Sequence, residues 1–423
     1  MTENLINRIA IKNFGVIKLA DIDIKDVNII IGPQSSGKSL IAKLVYFFNT
    51  LNDVFVNYVY ALEVEYNFAD AMLERFSLLF PPYLWRDKSF NIKYKIDDVE
   101  ITWSYRRKTA NNDSKHKIVL SDALIAALSV VKKNAIESSV YREVKLSGKL
   151  MRVRQRYPKQ DIETDLENIF PSYFRRSLFI PSGRTFLHTL KLNTFSLEKL
   201  QIDQFIREFG AEYASIKEYF INDNRLELDT HDERAFESIL KGYYEYDDAE
   251  DEDWIVTIEG HRTKLAHASS GQQESLPMLA TLAVVPILMT FDQSPGMIFI
   301  EEPEAHLYPT AQNEVVSFIS SLHKQYDTKF FMTSHSPYII SALNNMIQAN
   351  ELIRKKLLTE SKFNKLNKGG ASIPFDVIAA YTIENGVVKS IMDDAYKMIG
   401  AYKLDDISNH FQEVQNKLSM LEI

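Results

Sequence analysis

The chain has 423 residues, 45% of them hydrophobic and 25% charged, with a formal net charge of −8. This composition suits a globular chain long enough for two or three substructures, and the acidic balance confines any nucleic-acid contact to a local patch. There is no cysteine, which excludes disulfides, zinc–thiolate sites and cysteine nucleophiles and makes a reducing cytoplasm the expected compartment.

Met1–Asn4 lacks the basic start of a signal peptide. The longest apolar run, Leu276–Phe291, falls short of a membrane span and carries Pro277 and Pro286, so no membrane contact is expected. Leu5–Lys12 and Val16–Ile24 alternate as two hairpin strands, and Val27–Ile31 reads as a buried strand. That strand runs into Gly32-Pro33-Gln34-Ser35-Ser36-Gly37-Lys38-Ser39, which fits G-x-x-x-x-G-K-[ST] at every fixed position. The spacing has a chemical reason. The glycines let the backbone curl so that its N–H groups face phosphate oxygens. Lys38 reaches the β- and γ-phosphates, and the Ser39 hydroxyl binds Mg²⁺. Leu40, Leu44, Phe47 and Leu51 follow at helical spacing, so the loop feeds a helix N-terminus that favours anions. ATP and Mg²⁺ are the cofactors expected.

A mostly helical, aromatic-rich stretch continues to about Phe80, where Pro81-Pro82 ends it. Phe90–Tyr105 reads as a hairpin, and Ser121 to about Ile169 as interrupted helix with one break at Ser147-Gly148. Residues 51–174 thus read as a mostly helical insertion with one β-hairpin. Within it, Arg142–Lys159 is strongly basic, a solvated face or a surface for a phosphate backbone. Arg176–Ile180 is a short buried strand that ends at Pro181-Ser182-Gly183-Arg184. Helix returns from Ser196, a plausible N-cap, to about Asn222. Asp247–Asp253 is an acidic run, read as a solvated loop or strand end, and Trp254–Ile258 is a strand. From Ser270 the pattern alternates helix and strand, as in a parallel sheet covered by helices. Asn385-Gly386 between alternating arms marks a hairpin. Leu404, Ile407, Phe411, Val414 and Leu418 form the stripe of an amphipathic terminal helix.

Three further stretches complete a site. In GMIFIEEPEAHLYP, a short apolar strand runs directly into two acids. Glu301 would hold the Mg²⁺ shell, and Glu302 would orient or deprotonate water beside the γ-phosphate. In KFFMTSHSP, an apolar strand delivers His335 to the sheet edge where ligands bind in open α/β sheets. In ASSGQQES, Ser269, Gly271 and Gln272 sit at the start of a long apolar helix. Taken alone, that is an N-cap.

The order of phosphate loop, insertion, ASSGQ, FIEEPEAHL and TSH resembles the ABC-type ATPase heads of the SMC-related, OLD-like family. The resemblance implies an α/β fold with an N-terminal antiparallel sheet and a central mostly parallel sheet. The head would span residues 1–50 and 175–390, with the 51–174 insertion and a C-terminal helix over 391–423. It implies two heads sandwiching two ATPs, with Ala268–Gln272 of one chain, in place of the family's signature motif, touching the γ-phosphate held by the other. Asn13 would lie near the adenine, and Arg184 becomes a candidate in a recurrent post-insertion motif. Stand-alone heads of this length resemble the ATPase subunits of bacterial anti-phage systems. That implies a separate toxic effector, a Toprim nuclease foremost, a phage protein as trigger, and assembly into dimers or higher oligomers. The competing expectation is an SMC-like DNA-repair ATPase that binds DNA directly.

Overall fold

The computed structural model describes residues 7–61, 68–109, 112–138, 140–146, 149–155, 158–170, 173, 176–189, 202–221, 230–291 and 296–400. The N-terminal alternation forms β1 (Arg8–Phe14) and β2 (Ile17–Asp23), and the apolar run forms β3 (Val27–Ile31), every residue of which is buried. Helix α1 (Lys38–Asn49) leaves the phosphate loop. Leu44, Phe47 and, beyond the helix, Leu51 of the expected stripe are buried, while Leu40 is half-buried. Phe47 packs on Phe48, Phe76, Phe80 and Trp103. Burying one such ring is worth about 2–3 kcal/mol and anchors the helix beneath the loop.

Next come α2 (Asn52–Tyr60), α3 (Phe68–Leu79), β4 (Phe90–Ile96), β5 (Val99–Arg106), β6 (Lys115–Leu120) and α4 (Asp122–Glu137). A hairpin of β7 (Val140–Leu146) and β8 (Lys149–Gln155) and helix α5 (Lys159–Ile169) close this stretch. Two expectations are corrected here. The 51–174 segment has the expected helices and the β4–β5 hairpin but does not stand apart from the head, because β4 pairs with β1 and extends the main sheet through β5 and β6. The interrupted helix around Ser147-Gly148 is the β7–β8 hairpin, paired from Val140↔Gln155 to Leu146↔Lys149. Its alternation of basic and apolar residues has period two, which competes with the helical reading.

The chain returns through β9 (Ser177–Ile180), a short turn of helix α6 (Phe186–Thr189), α7 (Gln204–Ile216) and α8 (Thr230–Leu240). The cap of α7 is Asp203, whose side chain accepts from Phe205 N; the expected cap, Ser196, lies outside the described residues. The acidic run belongs to a small sheet of β10 (Tyr243–Asp247), β11 (Glu252–Val256) and β12 (Arg262–Lys264). It is not wholly solvated. Asp253 is buried, accepting from Lys217 Nζ at 2.9 Å and Tyr244 OH at 2.6 Å, because a buried carboxylate must be paired.

The expected alternation then follows: α9 (Ser270–Phe291), β13 (Met297–Glu301), α10 (Pro309–Tyr326), β14 (Lys329–Ser334) and α11 (Pro337–Arg354). Helix α9 has 22 residues, longer than the apolar run suggested, and its length and composition would suit a membrane span. Its apolar window is 78% buried inside the protein, the placement of a core helix. Helix α12 (Glu360–Leu366), β15 (Ile378–Glu384) and β16 (Val387–Ser390) follow, with Asn385 and Gly386 at positive φ in the hairpin turn. Residues 391–400 carry a short pair of strands, β17 (Met392–Asp393) and β18 (Met398–Ile399), rather than the start of a helix. The Leu404–Leu418 stripe lies outside the described residues.

The main sheet has the order β6-β5-β4-β1-β2-β16-β15-β3-β14-β13-β9 among the described residues. From β15 to β9 every pairing is parallel, and from β6 to β2 every pairing is antiparallel. This is the expected α/β fold with both kinds of sheet, joined into one. Alternate residues of β13 feed two cores: Phe299 joins the aromatic cluster around α1, and Ile298 and Ile300 join the aliphatic cluster around α9. Burial on both faces explains why β3, β13 and β14 read as largely apolar runs rather than alternating ones; the polar exception in β3, Asn28, is buried and donates to the Lys25 and Phe330 carbonyls.

Candidate nucleotide site

The carboxyl ends of β3, β13 and β14 meet at one place. Between β3 and α1, Gly37 occupies the N-cap position in the left-handed region, at φ 106°. A Cβ there would approach Val16 Cγ2 to 2.9 Å, so the turn needs glycine on both counts. Lys38 is 4% exposed. Its Nζ donates to the Gly32 carbonyl at 2.9 Å and the Pro33 carbonyl at 2.8 Å, and lies 3.3 and 3.2 Å from the ring nitrogens of His335. Burial lowers its pKa to about 8, against the opposing pull of Glu302 and then Glu304.

At the end of β13 the two acids part. Glu302 has φ 47°, an uncommon backbone for a non-glycine residue. Its backbone N–H stays tied to the Thr333 carbonyl at 2.9 Å, and its carboxylate comes 3.2 Å from His335 Nε2. Glu301 turns the other way and is buried. Its Oε2 accepts from the Ser182 N–H at 3.1 Å and hydroxyl at 3.3 Å. Glu304 fixes His335 from behind: its Oε1 accepts from the His335 N–H at 2.6 Å and the Ser334 hydroxyl at 2.8 Å.

Gln34, Ser35, Ser36, Gly37, Lys38, Ser39, Glu302 and His335 line one cavity of about 830 Å³, room enough for a nucleotide. Gly15, Val16, Leu84 and Trp85 form part of its apolar wall. Asn13 does not line it; at φ 59° it shapes the β1–β2 turn that presents Gly15 and Val16. Gly32 and Pro33 lie behind the loop, on the wall of a neighbouring groove with Ile383 and Met392.

The donor set fits a magnesium ion that arrives with phosphates. Ser39 lines the cavity, and Glu301 Oε1 and Thr333 Oγ1 are buried without a hydrogen-bond partner, as oxygens kept for a hydrated cation would be. Among the described residues no cluster of His, Cys, Asp and Glu holds a metal unaided. Glu301 is not among the cavity-lining residues, so the expectation that it holds the metal is narrowed to contact through water.

Ser269, Gly271 and Gln272 are elsewhere. They line a separate cavity of about 410 Å³ with His306, Tyr308, Lys241 and Lys368, and no residue is shared with the phosphate-loop cavity. Ser269 caps α9: its hydroxyl donates to Gln272 Oε1 at 3.0 Å and accepts from the Gln272 N–H at 3.4 Å. Gly271 lies against the loop after β13, where a Cβ would come 2.9 Å from the His306 carbonyl.

Sequence reasoning missed the partner of Arg184. The Arg184 guanidinium is 1% exposed and donates to the carbonyls of Pro181, Glu301 and Glu274 at 2.9 Å and of Glu302 at 3.2 Å. Glu274, in the second turn of α9, is also 1% exposed and pairs with it at 3.3 Å. Nothing in the spacing links residues 90 positions apart. The available signal was an acid in the polar lead-in, Ser270–Ser275, of a helix that is otherwise apolar.

A phosphate loop at the end of a parallel strand, two acids on the next strand but one and a histidine between them define a nucleotide triphosphatase of the α/β class. A family model described as an AAA ATPase domain (AAA_15) matches residues 5–340, and the chain belongs to that family. Among solved structures it is similar to an SMC head bound to the C-winged helix domain of ScpA, at 14% identity and TM-score 0.41 over 92% of this chain and 97% of that one. The SMC head domain from Thermotoga maritima matches at 12% identity and TM-score 0.37, over 92% and 98% of the two chains. An Smc head with an extended coiled coil bound to the C-terminal domain of ScpA derived from Pyrococcus furiosus matches at 13% and 0.39, over 96% and 99%.

Proposed function

We propose that this chain binds and hydrolyses ATP as a dimer of heads, each head completing the other's site, and that the cycle of closing and opening governs a separate protein. The observation that carries the reading is the separation of the two cavities. Lys38, Glu302 and His335 share one, whereas Ser269–Gln272 lines another and never meets the phosphate loop of its own chain. A second copy supplies what is missing. With ATP bound, Lys38 and the loop amides hold the phosphates, Glu302 activates water, and His335 reads the γ-phosphate. Magnesium supplies charge neutralisation at the phosphates, through Ser39 and, by way of water, Glu301.

The role assigned to this cycle is anti-phage defence in the cytoplasm, as an ATPase subunit of the AriA kind from the PARIS system. A Toprim nuclease would be the effector and a phage protein the trigger. Its support is the residue-level resemblance of the motifs to OLD-like heads. Light scattering of the Glu302→Gln protein with and without ATP tests the dimer; a mass unchanged by ATP overturns it. Co-expression with the neighbouring gene's product tests the defence role, which fails if phage infection proceeds equally with and without the pair.

The second reading, a DNA-processing ATPase, is favoured by one feature. The basic stretch Arg142–Lys159 spans β7–β8, a two-stranded ribbon that pairs with no other strand among the described residues. Titration with duplex DNA at two salt concentrations decides it, since phosphate contacts weaken steeply with salt.

A further inference from the structure

Arg184 and Glu274 are nearly sealed from water, and both are fully engaged. Besides its ion pair, the Glu274 carboxylate accepts from the backbone N–H groups of Gly183 at 3.0 Å, Arg184 at 3.1 Å and Thr185 at 3.0 Å. The Arg184 guanidinium in turn spans four carbonyls on three segments: the turn after β9, the end of β13 and α9. Two of those carbonyls belong to Glu301 and Glu302, the residues between which the backbone swings to φ 47°. Burying a charged pair this deeply costs desolvation that an apolar pair would avoid, so stability alone is a poor reason for it.

We propose that the Arg184–Glu274 pair is a positioning device that ties the start of α9 to the backbone of Glu302. It thereby makes hydrolysis at one chain's phosphate loop depend on whether that chain's own Ser269–Gln272 surface is docked. The path is short and stiff. Ser269 caps α9, Gln272 closes the cap, and Glu274 follows on the same helix. Glu274 holds Arg184, and Arg184 holds the carbonyls on either side of the swing that aims Glu302 into the cavity. A small movement of the helix start is delivered to the catalytic carboxylate without passing through the nucleotide. This rests on the reading of Ser269–Gln272 as the surface that meets a partner's ATP. The tie to Glu302 itself is local and is tested whether or not that reading holds.

The experiment compares full-length wild type with Glu274→Gln and Arg184→Lys. Glu274→Gln keeps the shape of the acid but removes the charge; Arg184→Lys keeps the buried cation, whose single nitrogen cannot span four carbonyls. ATP affinity is measured by calorimetry, turnover as a function of ATP concentration, and folding by circular dichroism. Expected are ATP affinities within about twofold of wild type, kcat lowered at least about tenfold, and a Hill coefficient for hydrolysis reduced toward 1. If wild type itself shows neither dimerisation nor cooperativity, the composite-site reading fails, while a selective fall in kcat still upholds the tie to Glu302. Unchanged kcat in both variants overturns the proposal. So does a parallel loss of affinity and turnover, or unfolding of both proteins, since either assigns the pair to general stability.

Discussion

The phosphate loop and the Ser269–Gln272 turn both stand at the start of a helix, yet they are built in opposite ways. The first exposes Pro33, Gln34 and Ser35 but keeps its charge inside: Lys38 is nearly sealed, held by the loop's own carbonyls and flanked by Glu302 and His335. The second is exposed at Ser269 and Ser270, and its polar groups satisfy one another through the Ser269–Gln272 cap. A buried cation bonded to carbonyls is a site waiting for an anion, because a phosphate is a better partner than a peptide oxygen. An exposed, self-capped turn beside a smaller cavity offers a surface to another surface. On the proposed function, the first would hold the nucleotide and the water-activating Glu302, and the second would complete a partner's site.

The contrast breaks first at Lys38. Lys38→Ala removes the charge-assisted bonds to phosphate, each worth about 1.5–3 kcal/mol, so ATP affinity is expected to fall by about two to three orders of magnitude with the fold intact. Calorimetry beside circular dichroism reads both. At Glu302 the expectation is the reverse in kind: Glu302→Gln leaves affinity unchanged and lowers kcat by about 10²- to 10⁴-fold. Single-turnover rates separate this from slow release, and wild-type turnover would assign water activation to another residue.

At the second region the expected effect is conditional. Ser269→Arg alone leaves ATP binding unaltered and abolishes turnover. An equimolar mixture with Lys38→Ala restores at most about a quarter of wild-type activity, because half the dimers are mixed and each of those has one whole site, and coupling through Arg184 and Glu274 lowers the recovery further, since that site's loop belongs to the chain whose own turn is altered. No recovery in verified heterodimers would mean either that each chain's site is complete in itself or that a chain's own docked turn is obligatory for its hydrolysis; Glu274→Gln in the Ser269→Arg chain separates the two, since it restores activity, within that variant's own lowered kcat, only in the second case.

The smallest effect is in pH. Lys38 gives up its proton near pH 8, below the usual value for lysine, and phosphate prefers the ammonium form. ATP affinity is therefore expected to fall about tenfold between pH 7 and pH 9, with a proton taken up on binding above pH 8. Stability moves the other way. Between about pH 8 and the ordinary lysine range the unfolded chain holds the extra proton, so rising pH relieves a cost to the folded state. A Lys38→Met protein, compared by thermal melting and titration, should lose both trends.

How much of this was legible depended on whether chemistry forces a spacing. The phosphate loop was readable because glycines, lysine and serine must stand at set distances to wrap a phosphate, and Glu302 and His335 because each follows an apolar strand. The parallel half of the sheet was readable because strands buried on both faces leave largely apolar runs. The continuation through β4–β6 was not, since pairing between Arg8–Lys12 and Asn91–Lys95 leaves no mark on either segment alone. The direction in which Glu301 turns was not legible, because sequence places an acid at a strand end without saying which way it points; Ser182, after another strand, holds it there. Arg184 and Glu274 meet only through the fold.

One wall of the phosphate-loop cavity has an optical consequence. The chain has three tryptophans, and they sit in three unlike surroundings. Trp103 is fully enclosed among aromatic rings, and Trp254 lies in the small β10–β12 sheet beneath Arg262 and Lys264. Trp85 lines the cavity itself, pinned by its indole N–H to the Phe80 carbonyl at 2.9 Å. Its emission is a built-in gauge of what fills the cavity, read against two rings that stay out of the ligand's reach. With Trp85 the changing signal and the other two the background, nucleotide arrival and departure can be timed in the unlabelled protein.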